Sequence, residues 1–487
     1  MKSTAKEHTA PPTPSAPLTL YNTETRSLEQ FTPSSNHRPV RIYTCGPTVY
    51  DYAHIGNLRS FVMADLLKRT LLHNNHEVAH TTNLTDFGHL TGDNDEGEDK
   101  IMKAMKQQGV PITKDAMRSV TDTYIDAFKE DVAALRIMEP TTWSRASDYI
   151  FEQVQLIKTL DQKGYTYEID DGVYFDISKF PKYGRLGNID INTLKSGARV
   201  EVNTQKRHPA DFAVWKKGLL GWNSPWGKGF PGWHIECSAM AITTLGRHVD
   251  IHTGGIDLTH THHNAEIAQS EAATGKQFVG YWLHSEFVSI DNTKISKSLG
   301  NSITLRHLYK RGFTADDYRY WLLTAHYRTQ INFTFEALTA AKQALYRLKR
   351  HMYEDYSQTE SAPPDPATMT AFTAAINDDL DTPKAVALLW DTVHSPTLSP
   401  GSKRATIQHM DTVLQIGLSE QAASGARSIG VVSASDIPET VQQLLTEREA
   451  ARNNRNWEAA DQLREAINLH GYTVEDTADG PKLTATQ

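Results

Sequence analysis

Residues 45–69 read CGPTVYDYAHIGNLRSFVMADLLKR. Just upstream, residues 39–44 (PVRIYT) alternate apolar and polar side chains and are rich in β-formers, which predicts a strand. Downstream, Leu58, Phe61, Val62, Leu66 and Leu67 recur at helical spacing. Between them stand Gly46, Pro47, His54 and Gly56. A strand that feeds a glycine-containing loop and then a helix offers backbone N–H groups and a positive dipole end to a phosphate. His54 and Asn57 sit at that helix start, where a histidine is either a cap or a phosphate ligand.

Residues 77–84 (EVAHTTNL) predict a second strand, so the order strand–helix–strand suggests a βαβ unit in a doubly wound parallel sheet. No G-x-G-x-x-G follows the first strand, so no dinucleotide cofactor is implied.

The chain has 487 residues, enough for two to four domains at roughly 100–200 residues each. Its hydrophobic fraction of 39% supplies a large core. No apolar run approaches the roughly 20 residues that span a bilayer. Residues 1–17 are polar and rich in Pro, Ser and Thr, and lack the features of a secretory signal or transit peptide. A disordered tail and a cytoplasmic location are expected. The net charge of -8 is not the global signature of a nucleic-acid binder, although local basic faces on an acidic protein still hold RNA.

Residues 18–31 suggest a short hairpin, and the acidic loop at 93–100 lacks the spacing of a calcium-binding EF-hand. Residues 111–163 carry helical periodicity, and 172–177 read as a strand. Residues 180–230, rich in Gly, Pro and Lys, read as irregular. A strand at 248–252 ends in Thr253-Gly-Gly255, and a helix is expected over 262–274. A strand over 281–290 leads into a Lys/Ser loop at 294–301. From about 303 the pattern turns helical, with helices expected over 315–325, 334–353, 366–379 and 382–393. Residues 418–436 read as a linker, and two further helical stretches occupy 438–469.

The two cysteines, Cys45 and Cys237, each lie in a segment that carries chemistry, which favours metal ligation over a disulfide. His262 and Glu266 are i, i+4 and so share one face of a helix. His263 and His260 are neighbours able to substitute, but His263 pairs at i+4 with Ile267, which favours His262. Cys237 is expected in a loop.

Four segments together carry a family resemblance. Cys45-Gly-Pro-Thr-Val-Tyr-Asp51 with His54-Ile-Gly-Asn57, Gly232-Trp-His-Ile-Glu-Cys-Ser-Ala-Met240, His262-His-Asn-Ala-Glu-Ile-Ala-Gln269 and Lys294-Ile-Ser-Lys-Ser-Leu-Gly-Asn301 resemble the class I aminoacyl-tRNA synthetases. The cysteinyl-tRNA synthetases are the nearest branch. The resemblance runs from about residue 18 to 340 and is looser beyond. It departs from the family at Asn57, at Asn264-Ala265 between the ligand pair, and at Ile295 in place of Met.

The resemblance implies an α/β protein. A Rossmann-like catalytic domain would span 18–302 with an insertion at about 111–230. A helical bundle (303–417), the 418–436 linker and a small anticodon-binding region (437–487) would follow. It implies one zinc ion held by Cys45, Cys237, His262 and Glu266 that takes the substrate thiolate, and ATP with Mg²⁺ as co-substrate. ATP would meet Thr48, His54, Gly56, Asn57, Gly255, Asp257, Lys294 and Lys297. Of these, His54, Asn57, Lys294 and Lys297 would be catalytic. Cysteine would meet Cys45, Gly46, Thr48 and Trp233. The expected reaction is cysteine–tRNA ligation by a monomer acting on tRNA-Cys. The alternatives are an ATP-dependent ligase joining cysteine to an amino sugar, and a catalytically silent RNA-binding paralogue. Lys342, Arg347, Lys349 and Arg350 are candidate RNA contacts. Trp457, with Arg452 and Arg455, is either a base-stacking group or, as favoured here, a helix-packing residue.

Overall fold

A computed structural model describes residues 16–35, 38–88, 99–189, 203–295, 301–356, 359–420, 437–477 and 480–485. The expected tail up to residue 15, most of the acidic loop, Lys297 with the rest of 296–300, and residues 421–436 of the expected linker lie outside them.

The central element is a five-stranded sheet of β1 (Val40–Thr44), β2 (Val78–Leu84), β3 (Thr142–Arg145), β4 (Val249–Gly255) and β5 (Val279–Ser285). Its order is β5-β4-β1-β2-β3, and every pairing is parallel. Parallel strands are covered on both faces, which is why these segments are buried almost continuously although they carry polar residues. The order reverses at β1, which is flanked by β4 and β2. In a doubly wound sheet the crevice at the carboxyl ends of the strands beside such a reversal is the ligand site.

Helix α1 (Ile55–His73) connects β1 to β2. It buries Leu58, Phe61, Val62, Leu66 and Leu67 as its spacing predicts, and also Arg59, Asp65 and Lys68. Helices α2 (Trp233–Leu245) and α3 (His262–Thr274) precede β4 and β5 and are buried along most of their length.

Three expectations change. Residues 111–163 are not helical throughout: strand β3 separates the helices Lys114–Ala134 and Ile150–Gln162. Four residues are too few for their periodicity to register against two long helices. Residues 180–230 contain the antiparallel strands Phe212–Ser224 and Gly227–Pro231, which extend a sheet begun by Thr166–Ile169 and Gly172–Phe175. Their glycines serve close packing: a Cβ on Gly229 would lie 2.0 Å from the Lys216 carbonyl oxygen. Cys237 lies within α2, not in a loop.

Two compact units emerge, and they are not consecutive in sequence. The first contains residues 1–307, 322–334 and 373–384, and the second contains 308–321, 335–372 and 385–487. The second unit holds the helices Phe335–Arg350, Pro400–Leu414, Glu439–Asn453 and Trp457–Leu469, and ends in the hairpin Tyr472–Thr477 and Gly480–Ala485.

Candidate active site

A cleft of about 380 Å³ opens at the carboxyl ends of β1 and β4. Cys45, Gly46, Thr48, His54, Gly56, Asn57, Trp233, Gly255 and Asp257 all line it. The loop after β1 is held tightly against β2. Gly46 N–H donates to Asn83 Oδ1 (2.7 Å), and a Cβ on Gly46 would lie 1.6 Å from the Asn83 carbonyl oxygen, so only glycine fits. Thr85 N–H donates to the Pro47 carbonyl (3.1 Å) and Val49 N–H to the Thr85 carbonyl (3.0 Å).

His54 is the N-cap of α1. Its Nδ1 accepts from the Asn57 N–H (3.1 Å), and the His54 N–H donates to Asn57 Oδ1 (3.3 Å). His54 therefore caps the helix and also lines the cleft. Because Nδ1 accepts, neutral His54 carries its proton on Nε2. Gly255 brings the backbone close to the Asp257 side chain: a Cβ there would stand 2.4 Å from Asp257 Oδ1. The backbone of Lys294 pairs with Ser289 in a short antiparallel ladder, and Ile295 borders the cleft beside Gly56.

At the base of the cleft, Cys45, Cys237, His262 and Glu266 place one ligand atom each within 4.8 Å of one another, and all four are buried. The Sγ atoms of Cys45 and Cys237 lie 4.0 Å apart, and Cys45 Sγ is 3.6 Å from Glu266 Oε1. His262 Nε2 is 3.2 Å from the same oxygen. With Zn–S bonds near 2.3 Å, two sulfurs on a tetrahedral ion stand about 3.8 Å apart. The donor set and its spacing thus fit zinc. A second grouping shares Cys45 and Glu266 but uses His252 and His263. His263 Nε2 reaches Cys45 Sγ at 3.3 Å, so this neighbour of His262 also meets the cluster.

The surroundings charge this cluster unevenly, and the Cys237 and Glu266 charges hold His262 above its ordinary value despite its burial. Burial opposes ionisation of Cys237, but the Cys45 thiol and His262 stabilise its thiolate and hold its pKa below the ordinary value. Burial and the neighbouring Cys237 charge push Cys45 up. Burial also disfavours the Glu266 carboxylate, yet His252 and His262 bring it down to about 2. His252 Nε2 lies 3.0 Å from Glu266 Oε2, and His234 Nδ1 lies 2.9 Å from His262 Nδ1. Such partners orient ligands and leave His262 Nε2 directed inward. Trp233, half-buried, packs against His262 with the rings tilted by 32° and their centroids 4.3 Å apart.

Reading by motif passed over several residues. His234 stands one helical turn before Cys237 on α2, whereas His252 reaches the site from β4 and carries no spacing signal. Arg59 donates to the carbonyls of Glu286, Phe287, His326 and Thr329, fixing the cleft wall at 286–288. Its one trace is a cation placed on the apolar face of α1.

Residues 30–343 match the tRNA synthetases class I (C) catalytic domain, and residues 434–481 match the cysteinyl-tRNA ligase anticodon binding domain. The chain is 46% identical over 474 residues to cysteine–tRNA ligase 1 of Burkholderia lata, covering 96% of this chain and 97% of that protein. This chain belongs to the cysteine–tRNA ligase family. It is also 41% identical to the cysteine–tRNA ligase of Chlamydia pneumoniae (96% and 98% covered) and 38% identical to that of Treponema denticola (95% and 98%). A methionyl-tRNA synthetase of Mycobacterium tuberculosis, solved with methionyl-adenylate, shares the fold. Its TM-score is 0.54 at 14% identity, covering 82% of this chain and 95% of that one.

For a cysteine–tRNA ligase the second unit matters as much as the cleft. Trp457 is not a packing residue: it is 58% exposed, with the Arg452 guanidinium 5.9 Å from its ring centre. Of the expected basic cluster, Lys349 is buried against Asp316 (2.8 Å) and Arg350 pairs with Glu354 (3.1 Å). Among the described residues no helix is long and apolar enough to cross a membrane.

Proposed function

We propose that this enzyme activates cysteine with ATP and transfers it to the 3′ end of tRNA-Cys. The cysteine carboxylate attacks the α-phosphate and pyrophosphate leaves. A hydroxyl of the terminal adenosine then attacks the adenylate carbonyl and AMP leaves. His54, protonated at Nε2, and Asn57 face the cleft from the start of α1 and donate to phosphate oxygens as charge develops. Lys294 and Lys297 would neutralise the β- and γ-phosphates, and Mg²⁺ arriving with ATP would share that charge. Thr48 and Gly56 border the phosphates, and Gly255 lets Asp257 reach a ribose hydroxyl.

Cysteine sits over Cys45 and Gly46 with Trp233 along its short side chain. Zinc held by Cys45, Cys237, His262 and Glu266 would prefer the substrate thiolate to a hydroxyl, a distinction that shape alone draws only about 10²-fold.

The observation that carries this reading is the buried thiol–thiol–imidazole–carboxylate cluster at the base of a cleft rimmed by a helix N-terminus. The anticodon-domain match over 434–481 supports tRNA over an amino sugar as acceptor. The test is charging of a tRNA-Cys transcript with labelled cysteine and ATP. Cysteine-dependent pyrophosphate exchange without charging would keep the activation site and move the acceptor to a small amine.

A further inference from the structure

In the second unit, helix Phe335–Arg350 and the turn at 311–313 enclose a groove of about 550 Å³, lined by Arg311, Phe313, Lys342, Tyr346 and Arg347 among others. Thr339, Lys342, Gln343, Tyr346 and Arg347 follow one another at helical spacing, so one helix face supplies most of the wall. Among the described residues no carboxylate lines it.

The cations there are held in place without being neutralised. The Arg311 guanidinium packs on Phe335 at 4.0 Å, and Arg347 lies 5.9 Å from the Trp390 ring. Lys342 Nζ donates to the Gly312 carbonyl (2.6 Å) and stands 5.7 Å from the Phe313 ring. Among the described residues none of the three forms a salt bridge. Asp317 is the carboxylate that acts on Lys342, but it accepts from the Thr314 N–H (2.7 Å) at the start of helix Ala315–Leu323. By contrast, Lys349 and Arg350 on the same helix are paired with acids.

Three uncompensated cations around one concavity, on a chain of net charge -8, call for an anionic partner. Tyr346, 36% exposed at the wall, adds an aromatic face. Cations with an adjacent aromatic suit a sugar-phosphate backbone, with phosphates between the guanidinium groups and a ribose or base against the ring.

We propose that this groove holds backbone phosphates of the tRNA, with Arg311, Lys342 and Arg347 as the phosphate contacts and Tyr346 as the packing face. This rests on the reading that the protein charges a tRNA.

The test compares wild type with Arg311→Gln/Arg347→Gln. Charging of a tRNA-Cys transcript is followed over tRNA concentration at several salt concentrations, alongside cysteine-dependent pyrophosphate exchange without tRNA. Expected are exchange within about twofold of wild type and a KM for tRNA raised about tenfold. The salt dependence should also fall, the log–log slope losing about 1.5 for two lost contacts. Arg311→Lys/Arg347→Lys should keep most of the affinity. Unchanged KM and slope in the glutamine variant, with exchange intact, overturn the proposal. A wild type that exchanges but charges no tRNA defeats the underlying reading instead. If the glutamine variant also loses exchange, Tyr346→Ala decides by the same measurement: a raised KM supports the groove and an unchanged one overturns it.

Discussion

The Trp233 ring lies over the His262 imidazole at 4.3 Å, so one side chain both borders the cleft and covers a proposed metal ligand. Aromatic pairs of this kind contribute about 0.5–1.5 kcal/mol beyond their burial. Trp233→Ala should therefore raise the KM for cysteine about tenfold in pyrophosphate exchange, with kcat less affected. A variant with the wild-type KM would show that Trp233 only fills space.

Cys237→Ser replaces a sulfur donor by a hydroxyl at a buried site 4.0 Å from Cys45 Sγ. Bound zinc should fall well below one equivalent, and cysteine-dependent exchange should fall by at least about 100-fold. Metal analysis and exchange on the same preparation check this. Wild-type exchange from metal-free protein would remove zinc from the account.

Arg59→Met leaves the carbonyls of Glu286, Phe287, His326 and Thr329 without their shared donor. Buried acceptors that lose a charged partner cost about 1–3 kcal/mol each when nothing replaces it. Urea denaturation should show a loss of about 3 kcal/mol or more, and exchange should weaken because the wall at 286–288 shifts. A loss under about 1 kcal/mol would mean the clamp is redundant.

His80 is buried in β2, with Nε2 bonded to Thr44 Oγ1 (2.8 Å). Burial, aided by Lys68, brings its pKa down to about 3 from 6.5. The unfolded chain thus binds a proton at this site between those values and the folded chain does not. Stability is full above pH 6.5 and declines as pH falls toward 3, by up to about 1.4 kcal/mol per pH unit for this proton. Denaturation midpoints at pH 7.5, 6.5 and 5.5 should show a shallower decline for His80→Gln than for wild type. Parallel declines would assign the acid sensitivity to other groups.

Strand β1, helix α1, strands β2 and β4, and helix α3 were legible in the chain because each is long enough for its own periodicity to declare it. The residue types of the site were legible too: two cysteines in marked segments, an i, i+4 histidine and glutamate, and a histidine at a helix start. Tertiary structure alone decided the rest. Cys45 meets Cys237 across 192 residues and Glu266 across 221, distances over which no local pattern carries information. The same holds for His252 behind the ligands, for four-residue β3, and for Cys237 on a helix. Among look-alike cations on helix Phe335–Arg350, Lys349 became an internal ion pair while Arg347 stayed available. Trp457 stayed exposed where packing was expected. Local sequence sets what a residue can do, but burial and charge pairing depend on which distant elements pack against it, and that is settled only when the chain folds.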